Sequence, residues 1–251
     1  RQKAIEKDGE KQDALVRKTV AQNANTIVVL VSGSPLEMPW ADEVPAIVMA
    51  WYPGMEGGRA IADVLFGRVN PGGKLPITFP RTLADSPAHS EPRRFPGDSR
   101  EVWYDEDIFV GYRHFDRRGI EPLFPFGHGL SYTTFTYGAL AIQNSSWKPD
   151  NVLRLSLQLT NSGERDGSEV VQLYVGARAP SLPRPERELR AFRKVFLRAG
   201  ESRTLEFDLT ARALAYYCLE SLRWRIDEGD YTVSIGASSR DLRLQATVSY
   251  G

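Results

Sequence analysis

Residues 46–80 constrain the fold more than any other stretch, because their hydrophobic pattern changes period within a short distance. The apolar run at 46–51 is short and β-rich, which is typical of a buried strand. Glycine and proline turns follow at 53–58, and the apolar residues of 60–65 then fall on one face of a helix. After a second turn, 74–79 predicts another strand. This order of strand, glycine turn, helix and strand indicates a layered α/β sheet.

The upstream residues extend the same pattern. Residues 12–24 predict an amphipathic helix, and the continuous β-branched run at 26–31 predicts a strand buried on both faces. Ser32–Pro35 turns the chain at the carboxyl end of that strand, where open α/β sheets usually bind ligands. The sequence therefore predicts part of a mostly parallel sheet. Three strands form a poor free-standing sheet, so we expect chain outside this sequence to complete it.

The middle of the chain lacks a regular period. Residues 81–102 are rich in Pro, Arg and Ser and predict an exposed excursion. An aromatic segment at 103–116 and a Phe-, Pro- and Gly-rich segment at 121–137 follow. This composition is typical of irregular backbone that wraps over a domain surface and packs through its rings.

From residue 139 onward the hydrophobic period becomes two. Leucines at 153, 155, 157 and 159 alternate with polar residues, as in a half-buried strand. Five to seven such strands, separated by Gly, Asn, Asp and Pro turns, predict an antiparallel β-sandwich. We therefore expect two domains, with residues 1–138 contributing the α/β part and residues 139–251 the all-β sandwich.

Composition excludes several classes of function. The 251 residues contain 32 basic and 32 acidic side chains, so no overall field favours nucleic acid. No apolar run approaches the length of a membrane span. Cys218 is the single cysteine, and His89, His114 and His128 lack metal-ligand spacing, so neither a disulfide framework nor a metal site is expected. The GMEGG turn is not a dinucleotide fingerprint, and no cofactor is predicted.

Four carboxylates remain as candidates for chemistry. Glu56 lies in a glycine turn at a strand end, where it could act as an acid or a ligand, although a position at the start of the next helix is favoured. Asp105, Glu106 and Asp107 follow two aromatic residues, a combination that suits carbohydrate binding. A solvated acidic loop is the favoured alternative. Spacing alone therefore completes no catalytic site.

Longer motifs carry a resemblance to a known family. Several stretches resemble the C-terminal half of a glycoside hydrolase family 3 enzyme: VSGSPLEMPW, AWYPGMEGGRAIADVLFGRVNPGGKLPITFP, DEDIFVGYRHFD and PLFPFGHGLSYTTF. The tail resembles the fibronectin type III-like domain of that family through TNSGERDGSEVVQLYV, RPERELRAFRKVFLRAGES and WRIDEGDYTVSIGASS. The GSPLEMPW and LPITFP motifs favour β-glucosidases over the β-xylosidases and N-acetylhexosaminidases of the family.

The resemblance implies a retaining β-glucosidase, in which an aspartate attacks the sugar and a glutamic acid protonates the leaving oxygen. In the family the aspartate belongs to an N-terminal barrel domain, and the glutamate precedes the helix that matches residues 8–16. Glu6 and Glu10 lie past that position and have the wrong neighbours. We therefore assign no catalytic residue to this chain. The resemblance implies a β-glucoside or oligosaccharide substrate and the barrel domain as partner.

The resemblance also implies supporting roles for what is present. The Ser32–Trp40 turn and the Trp103–Asp116 segment would pack against the barrel or shape the rim of its site, and the sandwich would brace the other domains. Two other classes stay open. A non-catalytic carbohydrate-binding module would show exposed, coplanar aromatics on the sandwich, for which the alternation of Tyr216, Tyr217 and Trp224 is too short to decide. A subunit or cleavage product that works with a separate N-terminal chain would show an exposed apolar edge on the sheet at 26–79.

Overall fold

A computed structural model describes residues 2–98, 100–143 and 145–251, with side-chain surroundings from residue 9 onward. Three α-helices are described: α1 Gln2–Gln22, α2 Gly57–Leu65 and α3 Tyr112–Arg118. The strands are β1 Ile27–Leu30, β2 Ala46–Met49, β3 Phe135–Tyr137, β4 Ala141–Gln143, β5 Ser146–Trp147, β6 Leu153–Asn161, β7 Gly167–Ala177, β8 Glu188–Leu197, β9 Ser202–Leu209, β10 Tyr216–Cys218, β11 Arg223–Arg225, β12 Gly229–Gly236 and β13 Leu242–Tyr250. No helix in the described part of the chain is long and apolar enough to cross a membrane.

The first part of the chain contains the predicted helix–strand–strand–helix order. Helix α1 begins ten residues before the predicted start at Gln12, because the preceding residues are mostly good helix formers. Strands β1 and β2 pair in parallel, with Ile27 opposite Ala46. Helix α2 ends where predicted, since Gly67 adopts a positive φ of 69° and its N–H bonds to the Val64 carbonyl.

The mostly parallel sheet is confirmed only in part, because the described strands of this sheet are β1 and β2. The predicted strand at 74–79 is wrong. Leu75 donates its N–H to His128, and one antiparallel bridge joins Phe79 to Phe124, but no ladder forms. Pro76 has no N–H to contribute to a ladder. The prediction that 26–31 is buried on both faces is also wrong, since Ile27 is 48% exposed.

A small hydrophobic core holds this part together. Met38, Trp40, Val44 and Phe79 form its buried centre, against which α1, β1 and β2 pack. The Trp40 indole N–H donates to the Asp13 carboxylate on α1 at 2.7 Å, which gives a buried polar atom its partner. The loop after β1 is thereby anchored to the helix before it.

The β-sandwich is confirmed and contains the larger core. One sheet has the order β5-β13-β12-β7-β8, and in the other β6 pairs with β3, β4 and β9. All described pairs within the sandwich are antiparallel except the short β5–β13 contact. The four alternating leucines of β6 are at most 1% exposed, as the period of two predicts. The polar residues between them point away from the core.

Helix α3 begins within the aromatic segment at 103–116, which was predicted to be irregular, so that prediction is wrong over this short stretch. Two glycines with positive φ, Gly111 and Gly119, set its limits. The helix packs against the sandwich. Its Tyr112 hydroxyl accepts the Leu189 N–H at 3.0 Å, and Tyr112 stacks on Phe126 at 5.0 Å. The predicted packing through rings is therefore confirmed.

Three ion pairs, each with a nearly buried carboxylate, join the first part of the chain to the sandwich. Asp116 of α3 lies between Arg187 at 3.2 Å and Arg240 at 3.3 Å. Lys74 contacts Glu169 of β7 at 2.9 Å, and both side chains are nearly buried. These contacts connect the segment after α2 and helix α3 to strand β7 and to the loops that precede β8 and β13.

Candidate functional site

The loops at the carboxyl ends of β1 and β2 lie together. The Tyr52 ring covers Gly33 so closely that a Cβ atom on this glycine would lie 2.6 Å from Tyr52 Cε2. Tyr52 and Met55 are largely exposed. We call residues 32–36 and 52–56 the carboxyl-edge surface, which is where an open α/β sheet usually presents a ligand site.

The Ser32–Trp40 turn divides into two parts. Its first residues belong to the exposed carboxyl-edge surface, whereas Met38 and Trp40 are buried in the small core. Glu37, between the two parts, accepts the backbone N–H of Leu83. The turn is therefore connected to the excursion at 81–102, which was predicted from composition alone.

A second group of exposed aromatic side chains follows the 81–102 excursion. Trp103 is 50% exposed and Tyr104 84% exposed. The Arg93 guanidinium lies 5.5 Å from the centre of the Trp103 ring, a cation–π distance. We call Trp103, Tyr104 and Arg93 the aromatic rim. Flat, exposed rings of this kind can stack on sugar faces.

Asp105, predicted as a candidate acid, is bound to two arginines. Its carboxylate accepts hydrogen bonds from Arg94 and from Arg93, the latter at 2.5 Å. Burial opposes ionisation, but the Arg94 hydrogen bond and the charges of both arginines outweigh it and lower the pKa of Asp105. An ionised, doubly paired carboxylate is a poor general acid. Sequence reasoning missed this pairing, for which the adjacent arginines of the excursion were the available signal.

The other three carboxylates do not gather around Asp105 as a ligand set. Glu56 occupies the N-cap position of α2, as favoured, but its side chain is exposed and makes no capping hydrogen bond. Asp107 is exposed and has a left-handed backbone with φ of 57°. Glu106 is half-buried, and its Oε2 atom has no hydrogen-bond partner among the described residues. In this arrangement the acidic trio can shape a loop, but the geometry supplies no acid–base pair.

The histidines lie in separate surroundings. His114 is buried, with Nε2 3.1 Å from the Asp85 carbonyl, and His128 stacks on Phe124 at 5.3 Å. Burial lowers the pKa of both imidazoles. His89 packs against Phe95. Within the described ranges, no group of three or more His, Cys, Asp or Glu side chains could hold a metal ion.

The aromatics of the sandwich do not form a flat platform. Tyr217 and Trp224 are exposed, but their rings meet edge-on at 74°, and the Arg212 guanidinium covers Trp224 at 3.5 Å. Tyr216 donates its hydroxyl hydrogen to Asp227 at 2.9 Å. The coplanar arrangement that a sugar-binding module would present is therefore not found among these three residues.

Comparison with known proteins places this architecture in a family. Residues 2–132, just over half of the chain, match the profile of the glycosyl hydrolase family 3 C-terminal domain. The chain belongs to glycosyl hydrolase family 3. Residues 169–239 match the fibronectin type III-like domain, and this range runs from β7 to β12 of the sandwich.

Similar proteins carry β-glucosidase names. The chain is 45% identical over 239 residues to thermostable beta-glucosidase B of Acetivibrio thermocellus and 46% identical over 239 residues to a beta-glucosidase of Rhizobium radiobacter, and each match covers 95% of this chain. The match covers 31% of the first relative and 29% of the second, so the family 3 chain spans about a third of their length.

Solved structures agree with this relationship. DesR, a beta-glucosidase from Streptomyces venezuelae crystallised with D-glucose, superposes with a TM-score of 0.89 at 40% identity, over 95% of this chain and 30% of that one. The GH3 beta-glucosidase of Bifidobacterium adolescentis also gives a TM-score of 0.89 at 40% identity, over 96% of this chain and 35% of that one.

Proposed function

We propose that this family 3 chain is the C-terminal part of a retaining β-glucosidase that removes terminal β-D-glucosyl residues from β-glucosides. The observation that carries the proposal is its identity of 45–46% to two β-glucosidases over 95% of its length. Both catalytic carboxylates lie outside this chain: the aspartate nucleophile in an N-terminal barrel domain, and the acid/base glutamate just upstream of α1.

The surroundings of the candidate carboxylates support the proposal that the catalytic residues lie outside this chain. Asp105 is held ionised by two arginines, and Glu56 and Asp107 are exposed to solvent. General acid catalysis needs a carboxyl group whose pKa is raised, and Asp105 has the opposite shift. The chain therefore supports the reaction by contacting the catalytic domain and supplies no catalytic carboxylate itself.

The barrel domain and the rest of the α/β sheet are the proposed partners. A two-stranded sheet with exposed apolar residues at Ile27 and Val31 is a poor free-standing unit. We assign residues 1–138 to the α/β domain and residues 139–251 to the sandwich, with β3 of the first unit adding to a sandwich sheet. The carboxyl-edge surface and the aromatic rim are the parts of the first unit that face the barrel and border its sugar site.

No observation favours a β-xylosidase or a sugar-binding module, whereas the exposed apolar residues Ile27 and Val31 fit a barrel domain supplied either by the same chain or by a separate N-terminal chain. A β-xylosidase differs in the sugar that the upstream residues would recognise. A non-catalytic sugar-binding module is disfavoured by the edge-on rings of Tyr217 and Trp224.

Hydrolysis of an aryl β-glucoside tests the proposal. The chain alone and the chain extended upstream through the barrel domain are assayed in parallel, with an aryl β-xyloside as the second substrate. We expect that only the extended protein hydrolyses these substrates, and that it hydrolyses the glucoside faster than the xyloside. Faster hydrolysis of the xyloside would contradict the β-glucosidase proposal and indicate a β-xylosidase.

A further inference from the structure

Three arginines converge on one glutamate where α3 meets the start of β8. Glu188 Oε1 lies 3.1 Å from Arg113 Nη2 on α3, and Glu188 Oε2 lies 2.6 Å from Arg190 Nη2 on the same strand. The Arg184 guanidinium approaches Glu188 Oε2 at 3.7 Å from the preceding loop. We call Arg113, Arg184 and Arg190 the guanidinium cluster. Arg113 is far from Arg184 and Arg190 in sequence, but all three contact one carboxylate.

Positive charge exceeds negative charge at this cluster. Among the described residues, Glu188 is the carboxylate that contacts all three guanidinium groups. The charge of Arg184 also lowers the pKa of Asp227. Asp227 is itself occupied by Ser181 and Tyr216. Burial lowers the pKa of Arg190, and although Glu188 opposes this, the neighbouring guanidinium groups of Arg184 and Arg113 add to it.

Two buried donors of the cluster lack acceptors. Arg184 Nη1 and Arg190 Nε are buried and have no hydrogen-bond partner among the described residues. Only 7% of the Arg184 side chain is exposed, so this guanidinium is almost fully removed from solvent. Its ring contact with Tyr216, at 4.9 Å, stabilises the cation but does not accept a directed N–H bond of ordinary strength. Unsatisfied buried donors in a native protein call for a water or an ion.

Two side chains of the cluster are partly exposed to solvent. Arg113 is 33% exposed and Arg190 22% exposed, whereas Arg184 is nearly buried. Planar guanidinium groups match the oxygen geometry of carboxylate and phosphate. We propose that the guanidinium cluster is a binding site for a small oxyanion, with phosphate and carboxylate as the chemical classes it would take. This site is independent of the proposed glucosidase function.

Binding of inorganic phosphate to the 251-residue chain tests the site. Phosphate is titrated by calorimetry at constant ionic strength maintained with sodium chloride, and sodium acetate forms a second arm that distinguishes carboxylate from phosphate. We expect saturable binding in at least one arm. Arg190→Gln and Arg113→Gln should each weaken it about tenfold or more, since one charge-assisted hydrogen bond is lost in each variant.

Arg154→Gln is the matched control, because Arg154 lies on the same sandwich in an ion pair whose side chains are each 64% exposed. Its affinity should equal that of the unchanged chain. Absence of saturable binding in both arms would overturn the proposal. It would also be overturned if the Arg190 and Arg113 variants bound the anion as tightly as the unchanged chain does. Arg113 is partly exposed, so its variant keeps the test decisive if Arg190→Gln fails to fold.

Discussion

The buried pair of Lys74 and Glu169 gives a quantitative test of how the sandwich is joined to the first part of the chain. Lys74 Nζ lies 2.9 Å from Glu169 Oε1 and also donates to the Gly129 carbonyl at 3.0 Å. The side chains are 13% and 7% exposed. Replacing Glu169 with Leu would leave a nearly buried ammonium group with the Gly129 carbonyl as its remaining acceptor.

We expect Glu169→Leu to lower the free energy of unfolding by about 3 kcal/mol, at the lower end of the range for a broken buried pair because the Gly129 carbonyl still accepts from Lys74. The Lys74→Met/Glu169→Leu double variant should recover more than half of this loss, since it leaves no buried charge. Urea unfolding followed by circular dichroism measures both values.

Asp208→Asn is the matched control, because the Asp208–Arg154 pair is exposed, and it should cost less than about 1 kcal/mol. The reasoning is refuted if Glu169→Leu costs no more than this control. It is also refuted if the double variant is as unstable as the single one, because the penalty would then come from packing rather than from an unpaired charge.

Three further changes test other parts of the structure. Leu157→Ala, at a residue that is 1% exposed in the sandwich core, should cost about 3 kcal/mol in urea unfolding. Gly119→Ala should cost about 1 kcal/mol, measured in the same way, because its φ of 63° strains a residue with a Cβ atom. Burial raises the pKa of Asp116 above 3.8 although Arg187 and Arg240 oppose it, so the stability it contributes should fall as pH rises from about 4 through the raised value. Asp116→Asn should remove that decline in pH-dependent unfolding measurements, and an unchanged pH profile would contradict this assignment.

The sandwich could be predicted from sequence because its signal is local. Alternation at residues 153–159 specifies which side chains face the core, and the structure buries those leucines. The strand predicted at 74–79 failed because its neighbours are residues 123–128, far along the chain, and because Pro76 cannot donate. The local sequence gives no information about a pairing partner that lies so far along the chain.

Helix α3 and the guanidinium cluster escaped prediction for related reasons. Seven residues between Gly111 and Gly119 are too few to show a helical period. The cluster is assembled from α3, a loop and β8, so nothing in the spacing of Arg113, Arg184 and Arg190 indicates it. The family motifs indicated an activity, but the proposed roles of the carboxyl-edge surface and aromatic rim depend on the barrel domain that we propose as a partner.

Aryl β-glucoside hydrolysis by the 251-residue chain alone is the most direct test of the central claim that both catalytic carboxylates lie elsewhere. We predict no hydrolysis above the uncatalysed rate, and activity once the chain is extended upstream through the barrel domain. Hydrolysis by the chain alone would contradict the account and would direct attention to Glu56, Glu106 and Asp105.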